Sequence, residues 1–192
     1  DVYKRQNLIH PAAITAVTSD ERAPFTHSDF DAEDLNKRDA AQDLPFLLRF
    51  APSVVVTSDA GNGIGYTGMR IRGTDASRVN VTINGVPLND AESQGVYWVN
   101  LPDLGASVSG LQIQRGVGTS TVGAGAFGAS VAVNTLGAIV KPGVRAVLGM
   151  GSFNSSRESV SWNTGMIGNG FSFDGRASHV SSDGYIDRAS SE

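Results

Sequence analysis

At 192 residues the chain has room for one ordinary domain, or for one small domain and part of another. Charged residues at 18% and hydrophobic ones at 40% argue against a disordered chain, and a net charge of −4 without any Lys/Arg block disfavours nucleic-acid binding. The lack of cysteine excludes a disulfide scaffold and thiolate metal sites, and no run is long enough for a transmembrane helix, so membrane residence would have to come through β-strands.

The chain does not begin with Met, and Asp1-Val2-Tyr3-Lys4-Arg5-Gln6 is what a transposase adaptor used in sequencing libraries encodes. Residues 1–6 are expected to be an adaptor-derived scar, and the chain a fragment truncated at both ends. Asn7 to Phe25 is polar and aperiodic, with Pro11 and Pro24, and reads as extended or mobile. A helix is predicted over Asp31–Arg38, with acids first and bases last, capped by Ser28 or Asp29. A second helix is predicted from Ala41 to Phe50, where Leu44, Leu47 and Leu48 share a face, ended by Pro52.

Beyond Pro52 the pattern becomes β-like. Strands are predicted at Val54–Thr57, Met69–Arg72, Val79–Asn84, Val108–Gln114 and Ser130–Asn134, with a flexible loop at Asp59–Gly65 and a hairpin turn at Asn84-Gly85. The region to about Leu136 therefore reads as a compact mixed α/β unit with long glycine loops. The tail alternates: Val144–Met150, Ser159–Met166 and Phe171–Ser178 are three strands of about ten residues each, the last two joined at Gly168-Asn169-Gly170. Such alternation fits an outer-membrane barrel or, equally, a water-soluble antiparallel sheet with one face on a core.

Motifs with chemical content are few. Gly123 to Gly128 satisfies G-x-G-x-x-G but leads into a predicted strand, and no acid occurs between Asp103 and Glu158, so a dinucleotide site is rejected. The glycines instead permit tight turns and close backbone packing. His10, His27 and His179 share no ligand spacing, and there is no G-x-S-x-G elbow, so no catalytic residue, metal site or cofactor is assigned. Asn89, Asp90 and Glu92 lack the geometry of a known calcium loop and read as facing solvent or a ligand. Tyr97-Trp98 reads as core or ligand-facing. Arg70, Arg72, Arg78 and Arg115 lie in apolar, glycine-rich context; Arg72 and Arg115 each precede a glycine at a strand end. A buried arginine needs a carboxylate, and nearby acids are few.

In this order, Asp43-Leu44-Pro45-Phe46-Leu47-Leu48 with Ala51-Pro52-Ser53-Val54, then Ile71-Arg72-Gly73, Ile83-Asn84-Gly85-Val86-Pro87, Ile113-Gln114-Arg115-Gly116 and Gly125-Ala126-Phe127-Gly128 to Asn134-Thr135 resemble the plug domain of TonB-dependent outer-membrane receptors. Gly151-Ser152-Phe153-Asn154 and Ser182-Asp183-Gly184-Tyr185 look most like receptors of Bacteroidota-type bacteria.

The resemblance implies an α+β plug domain, a small mixed sheet with short helices, followed by the first antiparallel strands of a transmembrane barrel of about 22 strands. The implied organisation is a mobile periplasmic segment over 7–27, the plug over 28–138 and about three barrel strands over 143–192. It implies no enzyme but a gate for energy-coupled uptake, most often of a ferric siderophore, in the bacterial outer membrane. The implied partners are TonB with its ExbB/ExbD energy complex, a small-molecule nutrient and outer-membrane lipids. Ala13, Ile14, Thr15, Ala16, Val17 and Thr18 sit where the TonB box belongs. Arg72 and Arg115 match the arginines that hold a plug to barrel-wall carboxylates. Asn89, Asp90, Glu92, Gln94 and Tyr97 form the candidate ligand-facing loop. The alternative is a soluble, plug-like binding domain that transports nothing.

Overall fold

The computed structural model describes residues 26–38, 41–117, 125–135, 137, 141–168 and 170–191. Its first part is a five-stranded mixed sheet of β1 (His27–Asp31), β4 (Val79–Ile83), β5 (Val86–Pro87), β6 (Val108–Arg115) and β7 (Ala129–Thr135). The spatial order is β1-β6-β7-β4-β5, with β4 and β7 parallel and the other neighbours antiparallel. A separate hairpin pairs β2 (Val54–Ser58) with β3 (Thr67–Ile71).

Strand alternation sets the core. Leu111 faces Val133 and Ile113 faces Val131 across β6 and β7, and these join Val79 and Val81 of β4 on one face. Leu35, Leu44, Leu47, Leu48, Met69 and Ile71 pack against them. The opposite face carries Gln112, Gln114, Ser130, Thr82 and Asn80, also buried. Buried polar groups need partners: Gln114 donates to Gln112 and Gln112 donates to Asp29 on β1.

β1 has no precedent in the sequence reading. Ser28 pairs with Ile113 and Asp29 with Gln112, so neither caps the helix that follows. That helix, α1 (Ala32–Arg38), is capped by Asp31, whose Oδ1 accepts from the Asp34 amide at 2.7 Å. A long-range edge pairing claimed a polar segment that local signals assign to a cap. The second helix is shorter than its leucine spacing predicts. α2 covers only Leu44–Leu47, starting from Asp43 in extended geometry with a proline in its first turn. After it the backbone bonds run three residues back, from Leu48 to Pro45, Arg49 to Phe46 and Ala51 to Leu48, winding down into β2. The Asn84-Gly85 turn is as expected: φ of 50° and 82° gives the mirror-image turn that matches strand twist. Asn84 also ties this turn to β7 through the Thr135 amide and hydroxyl.

The second part is an antiparallel meander of β8 (Gly143–Met150), β9 (Ser156–Asn163) and β10 (Asp174–Ser181). β9 and β10 lie about three residues from their expected positions, toward the Gly151–Ser155 turn. The ribbon continues past them through a Thr164–Phe173 bond and an Ile167–Phe171 bridge, closing near Gly168 and Gly170. One face carries Val147, Arg157, Ser159, Ser161, Asn163 and Arg176 toward the mixed sheet. The other carries Val144, Leu148, Met150, Val160 and Trp162 around an exposed Glu158 and His179, with Leu148 82% and Met150 98% exposed.

Close packing at Gly128 gives a prediction. A Cβ there would overlap the Thr74 side chain, whose hydroxyl donates to the Ile71 carbonyl. Gly128→Ala is expected to destabilise the chain by about 1–3 kcal/mol. Adding Thr74→Gly is expected to recover most of that loss in urea unfolding; no recovery would refute the steric account.

Candidate functional site

The two arginine-glycine turns come together in space. Arg72 has φ of 54°, and its amide donates to the Ser53 carbonyl at 2.9 Å. Its Nη1 would lie 3.1 Å from a Cβ on Gly116, so its guanidinium passes over the second turn. Arg115 is buried. It donates from Nε to the Pro52 carbonyl at 3.0 Å and from Nη2 to the Ser28 hydroxyl, tying β6 to β1 and to the entry of β2. Burial, and after it the neighbouring Arg72 charge, lowers its pKa from the ordinary arginine value. Among the described residues, no ion pair joins either guanidinium to a carboxylate.

An ion pair does cross from the mixed sheet to the meander, with carboxylate and guanidinium exchanged. Asp103 sits in the left-handed region at φ 55°, just before the 3-10 turn Leu104–Ser107 that leads into β6. Its side chain is 1% exposed and meets Arg157 of β9, Nη2 to Oδ1 at 2.6 Å, and Arg176 of β10, Nη1 to Oδ2. The Arg157 approach lies outside hydrogen-bond directionality and is a charge contact. The contact with Arg176 is also a hydrogen bond. Beside this triad a cavity of about 550 Å³ is lined by Asn36, Ser107, Arg145, Ser159, Asn163 and Asp174, among others. The sequence reading missed Asp103, Arg157 and Arg176. Their signal was the period-two row Arg157, Ser159, Ser161, Asn163, which puts polar groups on one face, and the scarcity of acids around Asp103.

A second contact is neutral. The Tyr185 and Ile186 amides both point at the Ala60 carbonyl, and Asn62 donates to Ser182 at 2.7 Å. Phe153 and Tyr185 stack edge to face at 5.3 Å. Between the two layers, Asp43 borders a cavity of about 380 Å³ together with Asp103, Tyr66 and His179. Asp43 accepts from the Thr67 hydroxyl at 2.7 Å, but burial dominates and lifts its carboxyl from 3.8 to about 6.

In the loop 89–97 most polar groups hold the loop itself. Asn89 accepts from the Val81 amide and donates to the Val79 and Gln94 carbonyls, standing in for a strand partner at the edge of β4. Asp90 accepts from Glu92, Ser93 and the Ser93 hydroxyl, and these bonds keep its pKa below the ordinary carboxylate value. Gln94, at φ 57°, donates to the Ala91 carbonyl. Tyr97 is exposed, and so is Glu92, while Trp98 is buried in the core. Residues 13–18 lie outside the described residues. Among the described residues no group of three or more His, Asp or Glu is placed to hold a metal ion.

Residues 19–130 match the family model described as TonB-dependent Receptor Plug Domain. That is more than half of the chain, and the chain belongs to this family. No curated protein matches it by sequence. Among solved structures it is similar to the ferripyoverdine receptor of the outer membrane of Pseudomonas aeruginosa, at TM-score 0.68 and 16% identity, over 89% of this chain and 22% of that one. A variant of the ferric enterobactin receptor of the same organism gives 0.64 and 23%, over 85% of this chain and 25% of that one. The ferric yersiniabactin uptake receptor of Yersinia pestis gives 0.59 and 17%, over 82% and 24%. The chain thus spans about a quarter or less of these proteins, and the shared feature is the fold: an α+β plug followed by antiparallel strands.

Two measurements check the local geometry. Asn89→Ala is expected to speed hydrogen exchange at the Val81 amide, with a stability loss of about 1–3 kcal/mol; unchanged exchange there would refute the strand-substitute role. Asp43 holds its proton more tightly when folded, so its stabilising effect is complete below pH 3.8 and lost as pH rises through about 6. In a Trp162→Phe background, unfolding followed at Trp98 is expected to weaken by about 1–2 kcal/mol over that window. Asp43→Asn is expected to abolish this dependence; an equal fall in that variant would assign it to another group.

Proposed function

We propose that the chain is the gate and the first wall strands of an outer-membrane importer, with a ferric siderophore as its cargo. One observation carries the reading: a plug-family sheet packs against the polar face of a meander whose other face exposes Val144, Leu148, Met150, Val160 and Trp162. A water-soluble sheet would turn that apolar face to a core. A transmembrane barrel turns it to lipid and keeps its interior polar. This favours transport over the soluble binding-domain alternative. The similarity to receptors for ferripyoverdine, ferric enterobactin and ferric yersiniabactin supports the cargo class.

In this reading the barrel is completed by strands beyond the chain, and cargo binds where plug and barrel loops meet. Glu92 and Tyr97 are the members of the 89–97 loop available to touch it, while Asn89, Asp90 and Gln94 shape the loop. The segment Ala13–Thr18 pairs with TonB as an added strand and receives the pull that moves the plug. TonB in turn draws energy from ExbB/ExbD. Arg72 and Arg115 are proposed to meet carboxylates on a part of the wall beyond these three strands. The glycine-aromatic wording of residues 151–154 and 182–185 supports a Bacteroidota-type source.

The test is uptake in the native host under iron limitation. Deleting the receptor gene is expected to abolish accumulation of one class of ⁵⁵Fe-labelled siderophore; undiminished accumulation of every siderophore offered would overturn the cargo assignment. Ile14→Pro is expected to stop uptake while cell-surface binding of the siderophore stays normal, since proline blocks strand addition. Normal uptake in that variant would remove the TonB box from residues 13–18.

A further inference from the structure

We propose that Asp103 is the latch of the closed plug: one plug carboxylate that anchors the gate on Arg157 and Arg176 of two adjacent wall strands. The inference rests on the reading of β8–β10 as receptor wall. It differs from the arginine assignment above in residue, in location and in polarity, because here the acid belongs to the plug and the cations to the wall.

Three features support it. The Asp103 side chain is 1% exposed and those of Arg157 and Arg176 are 11% and 21% exposed, so the charges meet largely away from bulk water, where pairing and its loss both matter most. The arginines come from different strands, each on the face turned to the plug, and converge on the two oxygens of one side chain. Asp103 is also rigidly tied to the plug. Its carbonyl accepts from the Ala106 amide at 3.3 Å, and Gly105 beside it lies so close to Leu47 that a Cβ would come within 2.5 Å of Leu47 Cδ1. A displacement of the plug core therefore moves Asp103 with it. By contrast, the Ala60 and Asn62 contacts are hydrogen bonds between uncharged groups, which water can replace. Opening the gate must separate Asp103 from both arginines together, leaving two cations on the wall and one anion on the plug.

The test uses the full-length receptor in the outer membrane of its host, with surface abundance measured by labelling and leakage by susceptibility to a glycopeptide antibiotic that the outer membrane normally excludes. Asp103→Asn is expected to raise susceptibility at least about fourfold at equal receptor abundance, because it removes the anion that Arg157 and Arg176 share across the two layers. Arg157→Gln with Arg176→Gln is expected to do the same. The neutral triple variant, with no charge left to bury, is expected to fold to normal abundance and to leak more than wild type but no more than either partial variant. Wild-type susceptibility in the triple variant would overturn the latch, even if Asp103→Asn lowers abundance. So would additive leakage of the two sides. A receptor absent from the outer membrane would overturn the receptor reading and the latch with it. A receptor that is present and takes up siderophore, with unchanged leakage in all variants, would overturn the latch alone.

Discussion

A carboxylate removed from water fixes the geometry around it. Asp103 costs several kcal/mol to bury unless both oxygens are engaged, and losing one partner of such a group typically costs about 3–5 kcal/mol. Here Oδ2 accepts a hydrogen bond from Arg176, and Oδ1 lies in charge contact with Arg157, both from another sheet. The 3-10 turn before β6 and the row of β9 and β10 that holds Arg157 and Arg176 must therefore stay in register. The strand that follows Asp103 is β6, which pairs with both β1 and β7, so this contact ties the mixed sheet to the meander, alongside the neutral bonds at Ala60 and Asn62.

The plug solves its other buried charges internally. Arg115 spends its donors on a carbonyl and a hydroxyl, and Arg72 lies beside it rather than opposing it. Asp43 is held by Thr67 and by a desolvated site that favours its proton. One buried carboxyl is held by a hydroxyl donor in a site that raises its pKa, one guanidinium is supported by neutral acceptors, and one carboxylate is paired across the layer boundary. Of these three, only the last joins the mixed sheet to the meander. The wall follows the matching rule: along β9 every second residue is polar toward the plug, and the residues between them include Val160 and Trp162 facing out.

Most of the strand framework was legible in the sequence because its signals are local. Val79–Ile83 is rich in β-branched residues, alternates Val79, Val81 and Ile83 with polar Asn80 and Thr82, and ends in Asn84-Gly85, a turn that only a few residue pairs favour. Val108–Arg115 and Ala129–Thr135 are likewise runs of strand-forming residues. β1 was not legible. His-Ser-Asp-Phe-Asp carries little strand propensity beyond Phe30 and pairs because β6 offers it an edge about eighty residues away in sequence. α2 was overestimated because leucine spacing survives in the i+3 turns that follow Leu47. At the site, the glycines after Arg72 and Arg115 marked real turns, but sequence could not say that these arginines converge. Nor could it pair Asp103 with residues 54 and 73 positions further on, since no local pattern encodes a partner at that distance.

The pairing of β1 with β6 also sets a schedule for folding. His27 lies opposite Gln114, so the first strand has no partner until most of the domain has been made. The β2–β3 and β4–β5 hairpins close over short loops and can form early, whereas the sheet they serve needs contacts far apart in sequence, which are slow to find. Until β6 and β7 arrive, β1 remains a loose polar end and the leucines of α2 lack the apolar face they cover. A chain of this design acquires its rigid form only when its centre and its beginning meet.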